Sequence, residues 1–231
     1  MPRLRNLVAT VAMVCATGAQ ALQMDPQNPT CPAEPSWSTN RTMELTPVER
    51  GGQKILLAEG RVDQGLPGRL QEALEENPDV TEIWFSSPGG DALSGNDAGR
   101  LLRSSFPGII TRIPEGWTCF SACNFVFMGG QLRIIEPGGT FMVHMFTHSG
   151  NRAVRESLAS GGDEARETIG AIEQSSAQLA TEDNDFLIRM GVSRRLLTQV
   201  MYETAAVGDG EVRRCLSQDE AYEYNVANVR E

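Results

Sequence analysis

Histidine is nearly missing from this chain of 231 residues: His144 and His148 are the only two, so candidates for an imidazole base are few. Long apolar runs are missing as well. The stretch Leu7–Ala16 falls well short of the roughly 20 residues that a membrane-spanning helix needs. A basic excess is absent: 20 Lys and Arg stand against 30 Asp and Glu, a net charge of −10. That balance disfavours nucleic acid and anionic membrane surfaces as partners. The cysteines Cys119 and Cys123 form a C-x3-C spacing, a poor zinc signature, and no second metal-like pair accompanies it. No metal and no cofactor is therefore expected. Internal repeats and low-complexity segments are also lacking.

What is present begins with an export signal. Arg3 and Arg5 precede the short apolar run, and Ala19-Gln20-Ala21 fits a small-x-small cleavage site, so residues 1–21 read as a secretory signal peptide. A lipoprotein modified at Cys15 is the alternative, although Met13 and Val14 suit lipidation poorly. Cleavage near Ala21 removes two arginines and no acid, moving the net charge from −10 to −12. It leaves Cys31, Cys119, Cys123 and Cys215, an even number in a chain bound for the periplasm or the exterior, which favours disulfides. Of the three possible pairings, Cys119–Cys123 with Cys31–Cys215 is the most economical, because it ties both ends of the chain to the domain.

Residues 22–47 are rich in proline and polar residues and read as an irregular lead-in. From there strand and helix signals alternate: strands at Ile55–Ala58, Thr81–Phe85, Ile109–Ile113, Leu132–Ile135 and Thr140–His144, and helices at Pro67–Glu76, Ala92–Arg103 and Ser121–Met128. This alternation predicts an α/β fold with a mostly parallel sheet. Gly150–Gly162 reads as a loop. A polar helix over Asp163–Met190 carries a thin stripe of Ile169, Ile172, Leu179 and Phe186, and a second helix spans Ser193–Tyr202. Ser217-Gln218-Asp219-Glu220 is a capping box, and Asn225 a left-handed stop for the helix it opens.

Three segments carry the chemistry. Ser86-Ser87-Pro88-Gly89-Gly90-Asp91 is a glycine turn after a strand. Thr118-Cys119-Phe120-Ser121-Ala122-Cys123 puts a serine at a strand-to-helix bend. Phe141-Met142-Val143-His144 puts a histidine at a strand end. A serine acyl-transfer centre needs a nucleophile, a base and donors for the oxyanion, and these segments contain all three. Taken singly, each has an ordinary structural reading as a turn, a small residue at a bend or a hydrogen-bonded histidine.

In this order the segments resemble the proteolytic subunit of Clp proteases, within the wider Clp/crotonase fold. The closing Leu216-Ser217-x-x-Glu220-Ala221-x-Glu223-Tyr224 is similar to the end of that family. The resemblance covers roughly residues 53–226 and identifies a diverged, exported relative. It implies a repeated ββα spiral over residues 48–231, with a projecting helical arm inserted at about 150–203. Ser121 would be the nucleophile, His144 the general base, and the backbone N–H groups of Gly90 and Ala122 the oxyanion donors. Gly90 would be needed because a side chain there would crowd the substrate carbonyl. The family's acid falls on Arg213, which cannot orient an imidazole. Asp209 is the expected substitute and Glu211 its alternate. Cys119 and Phe120 replace small residues and would narrow the site. Ring contacts in the family imply a homo-oligomer built through the arm.

The expectation is an exported serine hydrolase, a peptidase acting on peptide or ester bonds, with no unfoldase partner and no membrane contact after signal cleavage. The alternative is a non-catalytic binding protein that kept the fold and lost the acid. A third reading, enolate chemistry on an acyl thioester, conflicts with export, because acyl-CoA is not expected outside the cytoplasm.

Overall fold

A computed structural model describes residues 23–145, 148, 151–201 and 212–230. The expected signal peptide, Asp209 and Glu211 lie outside the described residues. The architecture is mixed α/β. A five-stranded sheet runs in the order β1 (Glu44–Arg50), β2 (Gln53–Glu59), β3 (Val80–Ser86), β4 (Ile110–Ile113) and β6 (Leu132–Ile135). All its pairings are parallel except β1 with β2. The inner strands bury Ile55, Leu56, Ile83, Phe85 and Ile113, the apolar runs that parallel strands covered by helices require.

A smaller sheet holds the site. It consists of β5 (Thr118–Phe120), β7 (Thr140–Val143) and the two-residue β8 (Arg214–Cys215). The end of β3 is laced to β5 by Ser87 N–H to Thr118 O (2.9 Å) and Phe120 N–H to Ser87 O (3.0 Å). The glycine turn after β3 is thereby delivered to the serine bend after β5.

Helix α1 (Leu66–Glu76) buries Leu66, Leu70 and Leu74, one side of an amphipathic helix. Helix α2 (Ala92–Ser105) is capped by Asp91, whose side chain accepts from the Ser94 N–H. It crosses α3 (Ala122–Met128) so closely that a Cβ at Gly95 would lie 2.5 Å from Ala122 O, and one at Gly99 2.4 Å from Phe125 O. Helix α6 (Gln218–Glu223) opens on the expected capping box of Ser217 and Glu220, and Asn225 has φ 54°. Arg133, 1 % exposed, donates to the carbonyls of Gly130, Asn225 and Val226, locking the chain end to β6. Among the described residues no helix is long and apolar enough to cross a membrane.

Four expectations need correction. The sequence suggests an irregular lead-in through residue 47, yet β1 begins at Glu44. Its pattern is mostly exposed and it carries Pro47, which an edge strand tolerates, so no apolar run announces it. Gly150–Gly162 is not a loop throughout, because Arg152–Ser160 forms helix α4. The Asn151 side chain caps it, accepting from Ala153 and Val154 N–H. It buries no residue and packs on α5 (Gly162–Met190), which explains the missing stripe. The helix expected at Ser193–Tyr202 is a π-helical turn over Leu196–Met201, and Tyr202 lies outside the described residues. Finally, α5 projects only in its first half. Leu179, Asp183, Phe186, Leu187 and Met190 are buried, with Phe186 edge-on against Phe125 at 5.3 Å.

Candidate active site

Ser121 sits between β5 and α3 with φ 57° and ψ −125°, a backbone conformation that a residue with a side chain seldom adopts. Non-glycine residues held this way cluster at functional sites, because the surroundings must hold them there. Several restraints do so here. Cys119 and Cys123 form a disulfide across the bend, with Cα atoms 5.5 Å apart. The Ser121 N–H donates to Met142 O at 3.3 Å, and Asn124 Nδ2 donates to the same carbonyl at 2.6 Å. Both bonds tie the start of α3 to β7, two residues before His144. The serine side chain makes no helix-capping bond, which leaves its oxygen for another partner.

That partner is His144. Its Nε2 lies 2.7 Å from Ser121 Oγ, within reach for proton transfer. Burial lowers the imidazole's pKa below its ordinary value, which keeps the ring neutral and able to accept a proton near pH 7. The ring also packs, tilted by 43°, against an aromatic side chain. Phe120 lies against it at 4.7 Å between centroids, and Trp37 stacks on Phe120 at 5.7 Å, tilted by only 11°. Trp37 comes from the lead-in, which is anchored by the Cys31–Cys215 disulfide with Cα atoms 5.0 Å apart. Both expected cysteine pairs are thus at bonding distance. Phe120, expected to narrow the site, instead forms one wall of the histidine's seat.

The glycine turn meets the bend directly. A Cβ on Gly89, at φ +79°, would lie 2.6 Å from Ser121 Cβ and 2.9 Å from Ala122 N. Gly90, at φ +153°, is glycine for a reason other than the expected one: a Cβ there would lie 2.0 Å from Val62 O, so the protein's own backbone excludes it. The N–H groups of Gly90 and Ala122 make no hydrogen bond among the described residues. Gly90, Ser121, Ala122 and His144 all line one cavity of about 190 Å³.

Arg213, standing where the resemblance calls for an acid, faces the lead-in. Its guanidinium donates to Asp25 Oδ2 at 3.1 Å, and its N–H to Asn28 Oδ1 at 2.8 Å. Two residues of the site escape a reading of the sequence. Asn124 is the clamp on Met142 O. Asp183 of α5 lines the same cavity, 7 % exposed, accepting from Asn96 Nδ2 at 3.0 Å. Burial pushes its carboxyl up to about 6, with lesser effects from Asn96, Glu182 and Arg100. Among the described residues no group of three or more His, Cys, Asp or Glu could hold a metal ion.

No family model matches the chain, and no curated protein matches its sequence. One similar solved structure is that of a mutant of ClpP1 from Listeria monocytogenes, 17% identical over 74% of this chain and 86% of that one, with a TM-score of 0.46. A likeness that loose settles neither family nor activity.

Proposed function

We propose that this protein is an exported serine hydrolase of Clp/crotonase type that cleaves peptide or ester bonds through an acyl-enzyme. The observation that carries the reading is a strained serine at a strand-to-helix bend, 2.7 Å from a half-buried histidine in one cavity. Ser121 Oγ would attack the carbonyl carbon while His144 Nε2 takes its proton. The unpaired N–H groups of Gly90 and Ala122 would stabilise the negative charge that forms on the carbonyl oxygen. The imidazolium would then hand its proton to the leaving amine or alkoxide, and water would release the acyl group by the same steps in reverse. Asp209, with Glu211 as alternate, stays in the proposal as the acid that orients His144. The Trp37–Phe120 stack supports the ring independently of it.

Two disulfides fit an oxidising compartment and support export to the periplasm or beyond. Exposed Leu158 and Ile169 on α4 and α5 agree with self-association through the arm. One observation favours a second reading, a binding protein without catalysis: Arg213 replaces the acid and is ion-paired elsewhere. Steady addition of p-nitrophenyl acetate separates the two. A burst of nitrophenol, with an acetyl group mapped to Ser121 by mass spectrometry, is expected of the hydrolase. No burst and no acetylation would leave the binding protein.

A further inference from the structure

Asp183 makes no hydrogen bond to Ser121 or His144 among the described residues, yet it shares their cavity. At about 190 Å³ that cavity is smaller than the roughly 300 Å³ at which sites for drug-sized ligands begin, so it holds about one side chain. Its composition is graded. Ser121 and His144 form the reacting end. Ala92, Phe125, Val143 and Leu179 supply apolar walls, and Asp183 is the single carboxylate among the described lining residues.

The surroundings leave that carboxylate uncompensated. Asn96 Nδ2 bonds one oxygen, and no other donor among the described residues reaches the group. Arg100, on the same helix as Asn96, pairs with Glu182 through Nη2 at 2.8 Å; its buried Nε has no partner among the described residues, and its charge is the weakest of the influences on Asp183. A buried carboxylate with one neutral partner is costly, which is why burial raises its pKa so far. As a mere tether between α5 and α2, an amide would serve equally well at no such cost.

Resting on the hydrolase reading, we infer that Asp183 anchors a subsite for a lysine or arginine side chain next to the scissile bond. The alkyl stem would lie along Leu179, Phe125 and Val143, as long cationic side chains do on apolar surface. Its charged end would give Asp183 the charge-assisted hydrogen bond that the protein withholds. An acid that lines the nucleophile's cavity without bonding to the nucleophile sets specificity through that contact and leaves the reacting atoms alone.

Short acetyl-peptide aminocoumarins with lysine, arginine, leucine or norleucine before the scissile bond provide the test. Norleucine matches the lysine stem without its charge. The wild-type protein should cleave the lysine or arginine substrate at least tenfold faster, as kcat/KM, than the norleucine one. Asp183→Asn should bring that ratio close to one, by slowing the cationic substrate and speeding the neutral one. Binding of n-butylammonium, read by NMR titration on the Ser121→Ala protein, is independent of catalysis. It should weaken at least tenfold on adding Asp183→Asn. Preference for leucine or norleucine in the wild type would overturn the inference. So would a lysine-to-norleucine ratio unmoved by Asp183→Asn, equal butylammonium affinity in both proteins, or equal loss for all four substrates, which would place Asp183 in the reacting centre. A protein that hydrolyses nothing but still binds butylammonium through Asp183 would refute the hydrolase and retain the cation site.

Discussion

Both histidines of this chain meet a serine, and only one of the pairs is proposed as a catalytic centre. His144 Nε2 stands 2.7 Å from Ser121 Oγ, and His148 Nε2 stands 3.1 Å from Ser175 Oγ. The difference lies in which acceptors each hydroxyl has within reach. Ser175 is in the middle of α5, where the Ile172 carbonyl, also at 3.1 Å, competes with His148 for its single hydroxyl hydrogen. Ser121 makes no such backbone bond, and its one side-chain partner among the described residues is His144. Ser175 also has relaxed helical backbone beneath it, whereas Ser121 is held at φ 57° beside two N–H groups that have no partner among the described residues. A hydrogen bond between serine and histidine is therefore weak evidence by itself. Competing acceptors, the strain under the serine and the donors beside it distinguish the proposed nucleophile from a tether.

The comparison breaks most visibly at the bases. His144→Ala should lower hydrolysis of an activated ester at least about a thousandfold, because an unassisted hydroxyl is a poor nucleophile. His148→Ala should stay within about twofold, and comparable losses in both would erase the distinction. Next come the two disulfides, which should separate stability from activity. On a chain-entropy account, Cys31–Cys215, which spans 184 residues, stabilises by about 5 kcal/mol, and the five-residue Cys119–Cys123 loop by about 2 kcal/mol. The double Cys119→Ser, Cys123→Ser protein should nevertheless lose more activity, by roughly tenfold to a hundredfold in kcat, while melting higher than the Cys31→Ser, Cys215→Ser protein. A reversed order in kcat would mean that the disulfide does not hold the serine bend.

Phe120→Ala should cost about tenfold in kcat with KM little changed, since it releases the imidazole without touching the cavity's Asp183 end. Phe120→Trp should restore most of the rate. An effect confined to KM would reassign Phe120 to substrate contact. The pH profile is the smallest effect. Activity needs neutral His144, protonation abolishes it, and burial lowers the folded pKa. The acid limb of kcat/KM should therefore fall below the value of about 6.5 typical of an exposed histidine. A limb above 6.5 would indicate an acid behind the ring, as Asp209 would be.

How much of this could be read from sequence follows from how local each cause is. The convergence of Gly90, Ser121 and His144 on one cavity was legible because each stands at the end of a short apolar run, and such runs reveal strands in a sheet covered by helices. The cysteine pairs were legible because only three pairings exist. Asp183 was not, because in Thr181-Glu182-Asp183-Asn184-Asp185 it reads as one charge on a solvated helix. It is buried because α5 packs over α2 and α3, with Phe186 passing within 2.8 Å of where a Cβ on Gly99 would stand. Trp37 reaches His144 from a stretch with no periodicity, through a stack that no local pattern encodes. The half of α5 that projects and the half that packs carry the same thin stripe. Only the neighbours tell them apart.

The most direct measurement is labelling of the wild-type protein with a neutral alkyl fluorophosphonate at pH 7.5, followed by peptide mapping. One adduct on Ser121, lost in Ser121→Ala and in His144→Ala and kept in Ser175→Ala, is the predicted result. No adduct, or an adduct on Ser175, would contradict the account.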